Sequence, residues 1–125
     1  MESRRPEQTA FRCEVEPRRD VVYVRPIGEM DLLTTPMVDD KLTELAEAGF
    51  ERIVLDLRHL EFLDSTGLHV ILAWNDRARQ GRFSFSLVRG RDCVQRLFEL
   101  TATDQLLDFM DPRSPRVAAD LPAVA

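Results

Sequence analysis

The chain has 125 residues, 44% hydrophobic and 31% charged, with a formal charge of −5 at pH 7. That length suits one domain able to bury its own core, and the balance excludes wholesale disorder. The arginines are scattered among carboxylates, with Arg4-Arg5 and Arg18-Arg19 the nearest thing to basic clusters; direct nucleic-acid binding, which draws on a basic face or stripe, is not expected.

Lys41 is the only lysine among many arginines, which reads as coding bias and not chemistry. Cys13 and Cys93 have no C-x-x-C or metal-type spacing; Cys13 alternates with apolar Phe11 and Val15, and Cys93 precedes Val94, so buried free thiols and a reducing compartment are expected. No apolar run approaches the roughly 18 to 20 residues needed to span a bilayer. The opening MESRRPEQTA lacks the apolar stretch of a signal peptide, so a cytoplasmic protein without a membrane partner is expected.

Residues 1–10 are polar and read as a flexible segment. From Phe11 to Glu16 apolar Phe11, Cys13 and Val15 alternate with charged Arg12, Glu14 and Glu16, the period of a half-buried strand. Pro17 to Asp20 gives a turn, and Val21 to Arg25 a second strand in a hairpin with the first. Ile27-Gly28-Glu29-Met30-Asp31 reads as a strand exit. Thr35 as N-cap and Pro36 at the first helical position open a helix. Its apolar stripe is Met37, Val38, Leu42, Leu45 and Ala46, and Gly49 ends it.

Ile53-Val54-Leu55 is continuously apolar, which predicts a strand covered on both faces. Residues 58–64 read as a connection, and a second helix runs from about Ser65 to Gln80, closed by Gly81. Phe83 to Val88 alternates as a strand. A third helix starts near Asp92, where Asp92 and Gln95 resemble a capping box, with Val94, Leu97 and Phe98 on its buried face. Leu106 to Phe109 suggests a last edge strand. From Asp111 to residue 125, the prolines and small residues suggest a flexible tail. The order β-β-α-β-α-β-α predicts a mixed α/β sheet with crossover helices.

Two strings lie where strands give way to helices. Leu63-Asp64-Ser65-Thr66-Gly67-Leu68 places Ser65 to cap the second helix, whose N-terminus offers free N–H groups and a partial positive charge suited to a phosphate. The same string also serves as an ordinary helix cap. Gly28-Glu29-Met30-Asp31 is the other, equally readable as a polar turn. Loops at the C-terminal ends of strands gather on one edge in such sheets, so Asp31 and Ser65 are expected to share a surface.

Enzyme chemistries fail on geometry. Asp64, Ser65 and His69 include triad residue types, but adjacent in the chain and one helical turn apart they do not form nucleophile, base and orienter. No G-x-S-x-G or phosphate-loop motif is present, no second copy supplies a paired carboxylate, and His59 and His69 lack metal-ligand companions. Neither catalytic residues nor a metal or cofactor is expected. Trp74 and the phenylalanines fit a core, and His69 reads as a surface histidine.

Together these strings, with Ile53-Val54-Leu55-Asp56-Leu57, Leu60-Glu61-Phe62, Val70-Ile71-Leu72 and Val94-Gln95-Arg96-Leu97-Phe98, resemble the STAS-domain anti-sigma factor antagonists over residues 11–110. The resemblance implies a STAS-like mixed sheet of four or five strands with helices packed on one side. It implies a partner switch: the unphosphorylated protein binds an anti-sigma factor that is also a serine kinase, releasing the sigma factor. Phosphorylation on Ser65 ends the binding and a serine phosphatase restores it. Asp31, Asp64, Thr66 and Gly67 would be the partner-binding residues, and ATP and magnesium would belong to the kinase. A monomer or weak dimer is expected. The competing role is a non-phosphorylated STAS subunit of a lipid-transport or stressosome-type complex.

Overall fold

β1 (Arg12–Arg18) and β2 (Val21–Met30) pair antiparallel from Arg12↔Ile27 to Arg18↔Val21. The computed structural model describes residues 10–121; the segment expected to be flexible at the N-terminus lies, apart from Ala10, outside the described residues, as do residues 122–125. The remaining elements are α1 (Thr35–Glu47), β3 (Arg52–Asp56), β4 (Leu60–Leu63), α2 (Ser65–Gln80), β5 (Ser84–Val88), α3 (Asp92–Leu100), a 3-10 turn at Thr103–Gln105, β6 (Phe109–Met110) and α4 (Pro115–Asp120).

The sheet order is β1-β2-β3-β5-β6, with β4 also on β2 and every pair but the hairpin parallel. β2 is longer than the sequence suggested, because the expected strand exit is its second half. Its first half pairs β3 (Val22↔Ile53 to Val24↔Leu55), and its last three residues pair β4 (Gly28↔Leu60 to Met30↔Leu63). β3 and β4 therefore lie end to end along one side of β2. Pro26, which cannot donate a ladder bond, falls between those two stretches, where β2 has a partner on one side only. Gly28, at φ 106°, takes the backbone through the register shift that follows. Residues 60–63 are thus a strand and not part of the connection expected over 58–64.

One face of the sheet carries the main core. Val22, Val24, Ile53, Leu55, Phe85 and Leu87 pack with Val38, Leu42 and Leu45 of α1, Leu68, Ile71 and Trp74 of α2, and Val94 and Phe98 of α3. The Trp74 indole N–H donates to Asp39 at 2.7 Å, joining α2 to α1. The opposite face holds Val21, Tyr23, Val54 and Val88, and α4 covers it with Val117 and Leu121. This corrects two expectations. Residues 115–121 are not a loose tail: Ser114 accepts the Val117 N–H, Pro115 opens the helix, and the Tyr23 hydroxyl donates to Asp120 at 2.6 Å. Nor do all helices lie on one side. The consecutive apolar run of β3 required cover on both faces, and α4 supplies the second.

Beyond α4 the second face turns ionic. Asp56, fully buried, accepts from Arg58 through both carboxylate oxygens and from Arg25, whose other nitrogens reach Glu14 and Glu16 at 3.1 and 2.9 Å. Burial by itself would raise the Asp56 carboxyl, but the hydrogen bonds and charge of Arg58, with Arg25, outweigh it and hold the group below the usual carboxylate range. The cluster ties β1, β2 and β3 together.

The thiols differ from expectation. Cys13 is half-buried, and desolvation pushes its thiol up to about 11. Cys93 is exposed, its thiol 3.6 Å from the Glu61 carbonyl, because it falls on the outer side of the first turn of α3.

Candidate functional site

At the C-terminal end of β2 the chain leaves the sheet at Met30, and at the same level β4 leaves it at Leu63. The Asp64 N–H donates to the Met30 carbonyl at 3.2 Å, so the two exits are bonded to each other. Asp31 and Ser65, 34 positions apart in the chain (65 − 31), accordingly sit on one edge of the molecule, as expected from the strand-end rule.

Asp64, not Ser65, is the N-cap of α2. Its backbone is extended, and one carboxylate oxygen accepts from the N–H groups of Thr66 and Gly67 at 2.9 and 3.1 Å. A carboxylate here also complements the helix dipole. Ser65 is the first helical residue, exposed, and its hydroxyl has no hydrogen-bond partner among the described residues. Asp64 thus frees Ser65 from structural duty and leaves its hydroxyl turned to solvent.

Thr66 is half-buried and Gly67 is buried. A Cβ on Gly67 would stand 2.4 Å from Leu63 Cδ1 and 3.2 Å from Met30 Cγ, so this glycine lets α2 settle against the ends of β4 and β2. It supports the edge from inside and offers no surface to a partner.

Asp31 is the cap of a turn. One of its carboxylate oxygens accepts from Leu33 N–H at 2.9 Å and Thr34 N–H at 3.0 Å, and its carbonyl accepts from Thr35. The Thr34 hydroxyl donates to the Glu29 carbonyl at 2.6 Å and accepts the Asp31 N–H at 2.9 Å. Thr34 is therefore the residue preceding α1, and Thr35, expected as the cap, is buried in its first turn. The turn projects Leu32 and Leu33, which are 70% and 84% exposed; Met37 and Phe62 are about half exposed. Met37, expected in the apolar stripe of α1, lies outside its buried face, and Leu32 and Leu33, directly after a strand-end aspartate, belong to no apolar stripe.

Among the described residues no group of three or more His, Cys, Asp or Glu side chains could hold a metal ion, and no helix is long and apolar enough to cross a membrane. His69 is on the exposed side of α2.

A profile of the STAS domain matches residues 12–118. The chain belongs to the STAS domain family. It is similar to an anti-sigma F factor antagonist of Paenibacillus polymyxa, 32% identical over 102 residues that make up 81% of this chain and 87% of that protein. Among solved structures, this STAS domain is similar to an anti-sigma factor antagonist from Mycobacterium paratuberculosis (TM-score 0.75, 25% identity, 88% of this chain and 92% of that one). The likeness to the anti-sigma factor antagonist SpoIIAA in its unphosphorylated form, with TM-score 0.69 and 22% identity over 89% of this chain and 94% of that one, is one of fold. In this chain the end-to-end arrangement of β3 and β4 along β2 brings the Ser65 turn level with the end of β2.

Proposed function

We propose that this STAS domain is an anti-sigma factor antagonist whose unphosphorylated form binds an anti-sigma factor with serine-kinase activity, releasing a sigma factor, and is switched off by phosphorylation of Ser65. The observation that carries the reading is the exposed, unengaged Ser65 hydroxyl at the start of α2, beside a cap made by its neighbour. A kinase can reach that oxygen without unfolding anything, since no internal hydrogen bond holds it. The relatives' description as anti-sigma factor antagonists supports the same reading.

Phosphoserine adds a charge of about −1.5 to −2 at pH 7. The positive end of α2 tolerates it, so the fold need not change. Asp64 alongside, and acidic groups on a docked partner, repel it. Two unit charges about 5 Å apart at an effective dielectric of about 20 repel by roughly 3 kcal/mol, and about 2.8 kcal/mol is already a hundredfold in affinity. Charge and bulk at the interface therefore suffice as a switch. A serine phosphatase resets it, and the antagonist works as a monomer or weak dimer in the cytoplasm with its edge open.

The test is binding to the cognate anti-sigma factor in the presence and absence of ATP. Ser65→Ala is expected to stay bound in both conditions, and wild type to dissociate as ATP is consumed. Equal retention of wild type and Ser65→Ala after incubation with ATP would remove the switch.

A further inference from the structure

The Ser65 edge has an unusual composition. Segments 29–40 and 61–66 contain the carboxylates Glu29, Asp31, Asp40, Glu61 and Asp64, besides Asp39, which is engaged by Trp74, and neither lysine nor arginine. Leu32 and Leu33 stand out of this acidic setting almost fully exposed. A single exposed leucine is ordinary, but here two adjacent ones share an edge with half-exposed Met37 and Phe62. Folding does not ask for them. The turn needs the backbone N–H groups of residues 33 and 34, which any non-proline residue provides, so polar side chains at 32 and 33 would serve it equally.

Asp31 contributes differently. The oxygen that accepts the Leu33 and Thr34 N–H groups is committed to holding the turn, and an amide oxygen could do the same. The geometry points to a division of labour at this edge: Asp31 is a positioning residue, and Leu32 and Leu33 are the apolar anchors that seat in a basic-rimmed groove on the kinase acting on Ser65. This rests on the antagonist reading. A kinase bringing ATP to the Ser65 hydroxyl must cover the neighbouring residues, and the bond between Asp64 and Met30 makes the leucine turn one of those neighbours. An apolar groove desolvates the leucines while basic side chains around it meet the carboxylates. A second copy of this chain is disfavoured as the occupant, since its acidic edge would face an identical one.

The test is phosphorylation of the purified full chain at Ser65 by ATP and an extract of the cells that produce the protein, with the site verified by peptide mapping. The double variant Leu32→Ser/Leu33→Ser is expected to raise the apparent KM about tenfold or more, given what burial of two leucines is worth. The exposed pair elsewhere, altered as Leu100→Ser/Leu106→Ser, is expected to leave it unchanged. Asp31→Ala should lose as much as the double variant, and Asp31→Asn should restore most of that loss. Thermal melting verifies that each variant is folded. An unchanged KM in the leucine double variant, or equal losses in Asp31→Ala and Asp31→Asn, overturns the inference and leaves the antagonist reading standing. A dimer in sedimentation that Leu32→Ser/Leu33→Ser dissolves reassigns the leucines to a second copy. Wild type that takes no phosphate on Ser65 overturns the antagonist reading, and the inference with it.

Discussion

Asp64 and Ser65 divide two tasks that a single serine could have been asked to perform. The aspartate closes two open N–H groups of α2, leaving the serine hydroxyl unengaged. Replacing Asp64 with Ala should therefore lower stability by about 1 kcal/mol, the usual worth of such a cap, measurable by urea unfolding; Asn should keep most of it. Both residues were legible as a cap-and-phosphate string, but which of them caps was not. That choice depends on the backbone: Asp64 has the extended ψ of −174° and Ser65 is already helical. Asp56 shows a different limit. Inside Ile-Val-Leu-Asp-Leu it reads as one charge at a strand end, and only the sheet register brings Arg25 beside it. Asp56→Asn would leave the two arginines under-compensated and cost about 3 kcal/mol near neutral pH. The folded Asp56 carboxyl lies below its ordinary 3.8, so this contribution is complete above about that pH and is lost as pH falls through the folded value. Acid titration of unfolding for wild type and Asp56→Asn should show the gap narrowing below about pH 4; a constant gap would mean that the ion cluster is not its source.

At the scale of elements, the helices and the hairpin were readable because their apolar periods are long and regular. α2 begins at Ser65 and ends at Gln80, the bounds its stripe and Gly81 imply. The short elements were not readable. β4 is four residues with Phe62 facing outward, so it has no pattern apart from β2, whose end it pairs. α4 was hidden by prolines that read as a tail, although Ser114-Pro115 is a helix start and the apolar run of β3 required cover on its second face. Leu121 is buried against that face. Leu121→Ala should cost about 2 kcal/mol, the low end for a buried leucine because it follows a short terminal helix, and lower the melting temperature by about 8 °C. A melt indistinguishable from wild type would show that α4 is not held on the sheet in solution.

For the whole molecule, the sheet acts as a rigid frame that aligns two strand exits, and everything proposed for function happens where they meet. The family was legible because its strings fall at those exits. The apolar turn beside them was not, since Leu32 and Leu33 follow no period and take part in no core. In the proposed switch the frame does not need to move: a phosphate on Ser65 would change the charge and shape of an edge already built. The direct test is intact-mass spectrometry of the protein purified from its native cells across growth and stress conditions, with peptide mapping around Ser65. A phosphate on Ser65 whose occupancy changes between conditions is the predicted result; a protein that stays unmodified at Ser65 throughout would contradict the switch.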